Sequence, residues 1–134
     1  MSKINLVFKY LIYLTFLVFS SCSYSTYNMN KGALKIEQTK TYNVRYLLYI
    51  PQQSIANVSF TSENGTQKTL EGISGTWENT VVLKSGQKVF LSLKSFGKKN
   101  KEKQIATIFV NQKVVSTKTT QATNASYGLT FILP

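Results

Sequence analysis

From Val44 onward, apolar and polar residues alternate with a period of two, in short runs broken by turn residues. No window sustains a helical period. A period of two sends successive side chains to opposite faces, so these segments bury one face of a sheet and wet the other. Val44, Tyr46, Leu48 and Ile50 alternate with Arg45, Leu47 and Tyr49, and Pro51 ends the run. Ala56, Val58 and Phe60 alternate with Asn57, Ser59 and Thr61. Asn64-Gly65 follows, the strongest short-range hairpin signal, and Gln67 to Glu71 reads as the returning, more polar strand.

The pattern continues to the end of the chain. Gly72 and Gly75 bracket a turn; Trp77, Asn79, Val81 and Leu83 share a face; Lys84-Ser85-Gly86-Gln87 turns the chain again. Val89, Leu91 and Leu93 oppose Phe90, Ser92 and Lys94. Ile105 to Val110 is apolar on both faces, as expected of a central strand. Asn111-Gln112 suits a tight hairpin, Val114 to Thr119 returns, and Tyr127, Leu129, Phe131 and Leu133 form a last strand. About eight strands with turn signals every 8 to 12 residues or so predict an all-β antiparallel sandwich, with a small closed barrel as the alternative. The expected core is Val58, Phe60, Trp77, Val81, Leu91, Leu93, Phe109 and Leu129.

The start of the chain has a different character. Lys3 and Lys9 precede a ten-residue apolar stretch, Tyr10 to Phe19, then Ser20, Ser21 and the single cysteine, Cys22. Basic, apolar and small-residue regions in that order make a secretory signal. The stretch is too short to cross a bilayer, which takes about 20 apolar residues. Phe19-Ser20-Ser21-Cys22 resembles a bacterial lipobox, in which the cysteine thiol is diacylglycerylated and the peptide before it removed. Several acyl chains exceed what reversible one-chain attachment provides. Three regions are therefore expected: 1–21 as lipoprotein signal peptide, 22–41 as lipidated cysteine and flexible tether, and 42–134 as the sandwich domain. The polar stretch from Ser23 to about residue 33 has the composition of a spacer. In some Gram-negative groups an acidic cluster after the cysteine marks export to the cell surface. The first acid here is Glu37, so the expected location is the cell envelope, at the outer membrane facing the periplasm.

Residue types prune the function classes. The chain has 134 residues, 16 Lys and Arg, five acids that are all Glu, and no Asp or His. A Ser-His-Asp triad cannot be assembled, and His-rich or Cys-rich metal sites are excluded. Ser85 beside Lys84 would need a buried lysine to become a nucleophile, and nothing nearby predicts burial. No catalytic, metal-binding or cofactor-binding residue is assigned; the only prosthetic chemistry expected is the covalent lipid on Cys22. The densest charge lies in Gly97 to Lys103, where Lys98, Lys99, Lys101 and Lys103 offer contact to anionic lipid, acidic polysaccharide or an acidic protein. The alternative is a solvated loop. Nucleic acid is not expected, since no face interleaves aromatic and basic residues and the chain carries an export signal. Tyr42, Tyr46, Tyr49 and Tyr127 read as structural, with a shallow aromatic patch as the other option.

Taken in order, "VRYLLYI", "ANVSFTSENGT", "GTWENTVVLKSGQKVFLSLKS" and "IATIFVNQKVVSTKTT" resemble the small sandwich of mycobacterial MmpS-type proteins and related short lipoproteins. The matching positions are Val58 to Phe60, Asn64-Gly65-Thr66, Trp77, Phe90 to Leu93, and Val110 to Val115, within residues 42 to 131. The resemblance implies an Ig-like β-sandwich of about seven to eight strands and no catalytic residues. MmpS proteins assist large transport proteins that export lipids and siderophores. Two features depart from the family. Gln112 stands where it has Gly, which predicts a turn longer than two residues, and a lipid replaces its membrane helix. The expected function is a membrane-anchored, non-catalytic accessory or adaptor subunit of a cell-envelope complex, in transport, secretion or outer-membrane assembly. The alternative is a small lipoprotein that binds a lipid or another hydrophobic or anionic envelope ligand.

Overall fold

The computed structural model describes residues 34–97, 102–121 and 124–134. Among them are eight strands: β1 (Thr41–Ile50), β2 (Ser54–Thr61), β3 (Gln67–Ile73), β4 (Gly75–Lys84), β5 (Lys88–Gly97), β6 (Lys103–Val110), β7 (Lys113–Gln121) and β8 (Ser126–Ile132). They form two four-stranded antiparallel sheets, ordered β4-β1-β6-β7 and β3-β2-β5-β8. The chain crosses between sheets from β1 to β2 and from β4 to β5, while β1 pairs with β4 and β2 with β5. This is the pairing of the central strands B, C, E and F in an immunoglobulin-type sandwich.

The period of two sets the layers. Tyr42, Val44, Tyr46, Leu48 and Ile50 on β1 are buried, as are Ala56, Val58 and Phe60 on β2 and Val89, Leu91 and Leu93 on β5. Between the sheets, the Phe60 ring lies 5.4 Å from Tyr46 and 5.1 Å from Trp77, both in tilted geometry. Such aromatic contacts add about 0.5–1.5 kcal/mol beyond area burial. Trp77 and Leu129 pack against this core and are half-buried. Before β1, Leu34 and Ile36 also pack against it.

Phe109 was expected in the core but lies on the opposite face. Opposite β1, Val110 pairs with Val44 and Phe109 with Arg45, so Ile108 and Val110 point inward and Phe109 outward. In a run that is apolar in both phases, only the register with a neighbour decides which set is buried.

The turns follow their residues. Asn64 and Gly65 take φ of +65° and +76° in the link between β2 and β3. Gly72, at φ +67°, absorbs the extra residue where the β2–β3 register shifts, and its N–H donates to Asn57 Oδ1 at 3.2 Å. Only Ser74 then separates β3 from β4, so the segment read as a turn switches sheets. Asn111 and Gln112 alone link β6 and β7, with φ of +47° and +67°. The longer turn predicted from Gln112 does not form. Asn111 stabilises the short one: its N–H donates to the Asn43 carbonyl and its Oδ1 accepts from the Asn43 N–H, both at 2.9 Å.

Gln112 holds a left-handed conformation that costs a side-chain-bearing residue about 1–2 kcal/mol. Gln112→Gly should therefore raise stability by about 1 kcal/mol, offset in part by the greater entropy of an unfolded glycine. A higher urea midpoint at unchanged slope is the expected result.

Candidate functional site

The exposed side chains on the two sheets are distributed unequally. On the outer face of β4-β1-β6-β7 the register builds successive rows across the strands. Thr80, Arg45, Phe109 and Val114 form one; Glu78, Leu47, Thr107 and Thr117 the next; Thr76, Tyr49, Ile105 and Thr119 a third. Val82 lies beyond the first row, opposite Asn43. Tyr49, Val82, Ile105 and Val114 are 40–59% exposed, and Leu47 and Phe109 are half-buried. On the outer face of the other sheet the middle row is Thr69, Ser59, Ser92 and Gly128, with Ser59 and Thr69 hydroxyls bonded at 2.8 Å. There the most exposed apolar residues sit toward the ends, Ile55 opposite Phe96 and Ile132 opposite Lys88, while half-buried Phe90 lies beside the middle row, opposite Thr130.

Arg45 organises the first face. Its guanidinium carbon stands 4.0 Å over the centre of the Phe109 ring, and one terminal nitrogen lies 3.5 Å from Glu78 Oε1. Stacking on an aromatic face suits a guanidinium, which is planar and weakly hydrated. The bridge to Glu78 is long, exposed and single-pronged, and pairs of that kind contribute little stability, about 0–1 kcal/mol. Asn43, Arg45, Thr80, Phe109 and Gln112 line an open recess of about 510 Å³ beside the stack.

The sequence-derived site residues are not gathered there as a group. Cys22, Lys98, Lys99 and Lys101 lie outside the described residues. Lys103 opens β6, exposed, on the same outer face and opposite Gln121. The loop before it starts from Gly97, where a Cβ would come within 2.6 Å of Ser54 Oγ and 3.1 Å of the Gln53 carbonyl. The four tyrosines do not form one patch. Tyr42 and Tyr46 are fully buried and Tyr127 nearly so, while Tyr49 is 47% exposed. The Tyr42 hydroxyl donates to the Pro134 carbonyl and accepts from the Thr39 N–H, each at 2.9 Å, clasping the segment before β1 to the one after β8. Ser85 is tied to the same carbonyl by its hydroxyl at 2.6 Å, and its neighbour Lys84 is exposed.

Residue-level reasoning from sequence missed the Arg45–Phe109 stack. Its signal was present in the off-phase apolar residues of β1 and β6, Leu47, Tyr49, Ile105 and Phe109. Among the described residues no three His, Cys, Asp or Glu side chains cluster as metal ligands, and no helix is long and apolar enough to cross a membrane. Compared with protein-family models and with curated proteins, the chain matches none of them.

Two buried phenols give the domain an alkaline limit. Burial pushes the Tyr46 hydroxyl well above the usual tyrosine value, and the proton it keeps is donated to the Thr61 carbonyl at 3.0 Å. Burial pushes Tyr127 up likewise. Below about pH 10 both phenols are protonated in the folded and the unfolded chain, so they leave stability unchanged. Above it the unfolded chain loses protons that the folded chain retains, and stability falls as pH rises. Urea titrations from pH 9 to 11.5 should show a decline steepening toward about 1.4 kcal/mol per pH unit for each phenol. Tyr46→Phe should remove its share of that slope.

Proposed function

We propose that this protein is a lipid-anchored, non-catalytic accessory subunit of a cell-envelope complex, its sandwich held at the membrane by acyl chains on Cys22. The observation that carries the reading is the order Lys3 and Lys9, a ten-residue apolar stretch, two serines and the only cysteine of the chain. Removal of residues 1–21 leaves 14 basic residues against five acids, a balance of +9, on a domain without a second thiol. Resemblance to the MmpS-type sandwich supports service to a larger envelope protein, and the absence of an acidic cluster before Glu37 supports a periplasm-facing outer-membrane location.

The interior favours an adaptor over a carrier of hydrophobic ligands. Tyr46, Phe60, Leu91, Leu93 and Ile108 fill the space between the sheets where an enclosed ligand would sit. The basic loop around Lys98, Lys99, Lys101 and Lys103 supplies an auxiliary contact to anionic envelope material.

Metabolic labelling with a palmitate analogue tests the anchor. Wild-type protein should take up label and Cys22→Ala should take up none; equal labelling of the two overturns the anchor. The adaptor role is tested by purification from detergent-solubilised membranes. A second protein should be retained through several mild detergents, and a protein that runs alone in all of them is not an adaptor.

A further inference from the structure

We infer that the outer face of the β4-β1-β6-β7 sheet docks an acidic protein partner, with Arg45 and Phe109 at the centre of the contact. The inference rests on the adaptor reading and says which surface serves it. The sandwich has two layers, and among the described residues no third layer covers this face. The neighbouring rows of Phe109, Leu47, Ile105 and Tyr49 carry an apolar strip along β1 and β6, whereas the middle row of the other sheet is serine, threonine and glycine, with Phe90 alone beside it. Aromatic residues and arginine are enriched in the buried centres of protein interfaces, and lysine is depleted there. The distribution here matches: Arg45 and Phe109 lie on the two inner strands of the sheet, while Lys84 ends β4 and Lys103 opens β6.

Charge decides between occupants. The face carries Arg45, Lys84 and Lys103 against Glu78 alone. A second copy would oppose its own cations, in a chain of net charge +11. An acidic partner complements them. A lipid surface fits less well, because the Arg45–Glu78 pair lies on the face and threonines on the edge strands β4 and β7 flank the apolar strip, and hydrocarbon would strip both charges of water. The footprint is modest. Four strands about 4.8 Å apart and about eight residues long cover on the order of 500 Å². A standard interface buries about 800 Å² per partner, so this one is of the weak, transient kind. Confinement to a membrane compensates, since it raises effective concentration without adding a contact.

The test uses the full chain in the cells that produce it, with the photo-reactive amino acid benzoylphenylalanine placed singly at Tyr49 or Val82 on this face, or at Ile55 or Ile132 on the other. The expected result is one discrete protein adduct from Tyr49 and Val82, none from Ile55 and Ile132, and net negative charge in the cross-linked partner segment. Arg45→Glu combined with Lys84→Glu should cut adduct yield at least about tenfold. Val82→Glu, at a 57% exposed position, should do the same in a background where Arg45 is intact. Thermal melts of each variant confirm folding. Adducts from Ile55 or Ile132 alone overturn the docking face and leave the adaptor reading standing; no adduct from any of the four positions counts against both. Adducts to lipid, to the same chain or to a second copy overturn the proposal, as does a yield indifferent to charge reversal.

Discussion

The contact on which the sandwich depends is the tilted stack of Tyr46, Phe60 and Trp77. It joins β1 and β4 of one sheet to β2 of the other. The described residues contain no cysteine, so inter-sheet cohesion comes from packing. Phe60, 2% exposed, is the shared member of both ring pairs, and loss of such a side chain costs about 3–5 kcal/mol. That is a large part of the 5–15 kcal/mol that ordinarily holds a domain together. The Tyr46 hydroxyl binds the first sheet to the second by a polar route as well, through the Thr61 carbonyl at the end of β2. Thr61 also accepts from the Phe90 N–H and donates to the Lys88 carbonyl, so the polar link continues into β5.

Burying one face of each sheet in this way determines what the other faces can be. A two-layer sandwich offers cover to the inward set alone, and every apolar residue in the outward phase meets solvent. Sheet β3-β2-β5-β8 accommodates this with small hydroxyl-bearing residues across its middle. Sheet β4-β1-β6-β7 does not, and carries an arginine stacked on a phenylalanine across its two inner strands. The difference cannot be attributed to stability, because exposed apolar surface and a long, single-pronged ion pair contribute little to it.

Much of the fold was legible because period-two alternation is a direct image of burial. The inward sets of β1, β2 and β5 stand in the sequence as they stand in the structure, and Asn64-Gly65 marks its hairpin. Legibility ended where alternation did. Ile105 to Val110 is apolar in both phases; that pattern predicts cover on both sides, whereas β6 is interior within its sheet and covered on one side only. Phe109 was therefore placed inward, and the register with Arg45 reverses it. Gln112 misled for a different reason. Residue preference at φ > 0 is a local term, and the paired bonds between Asn111 and Asn43 outweigh it. Of the tyrosines, Tyr42 and Tyr46 follow the phase of Val44 and are core, while Tyr49 follows the phase of Arg45 and is exposed; phase sorts them where residue type does not.

On the proposed reading, anchor and docking face are complementary parts of one device. A small sheet face with one arginine-centred contact binds weakly from solution. A domain confined by lipid to the surface where its partner resides does not have to bind tightly, because confinement has already removed most of the translational freedom that docking would cost. A weak face also keeps exchange fast, since affinity differences among related complexes lie mainly in dissociation. The positive excess then acts before contact, by orienting the domain toward acidic surfaces at a range set by ionic strength. Arg45 is consequently the residue at which the two roles separate: its charge contributes to approach, whereas its stack on Phe109 fixes the geometry of contact. Arg45→Lys would preserve the first and impair the second, because an ammonium lacks the planar surface that lies on the ring.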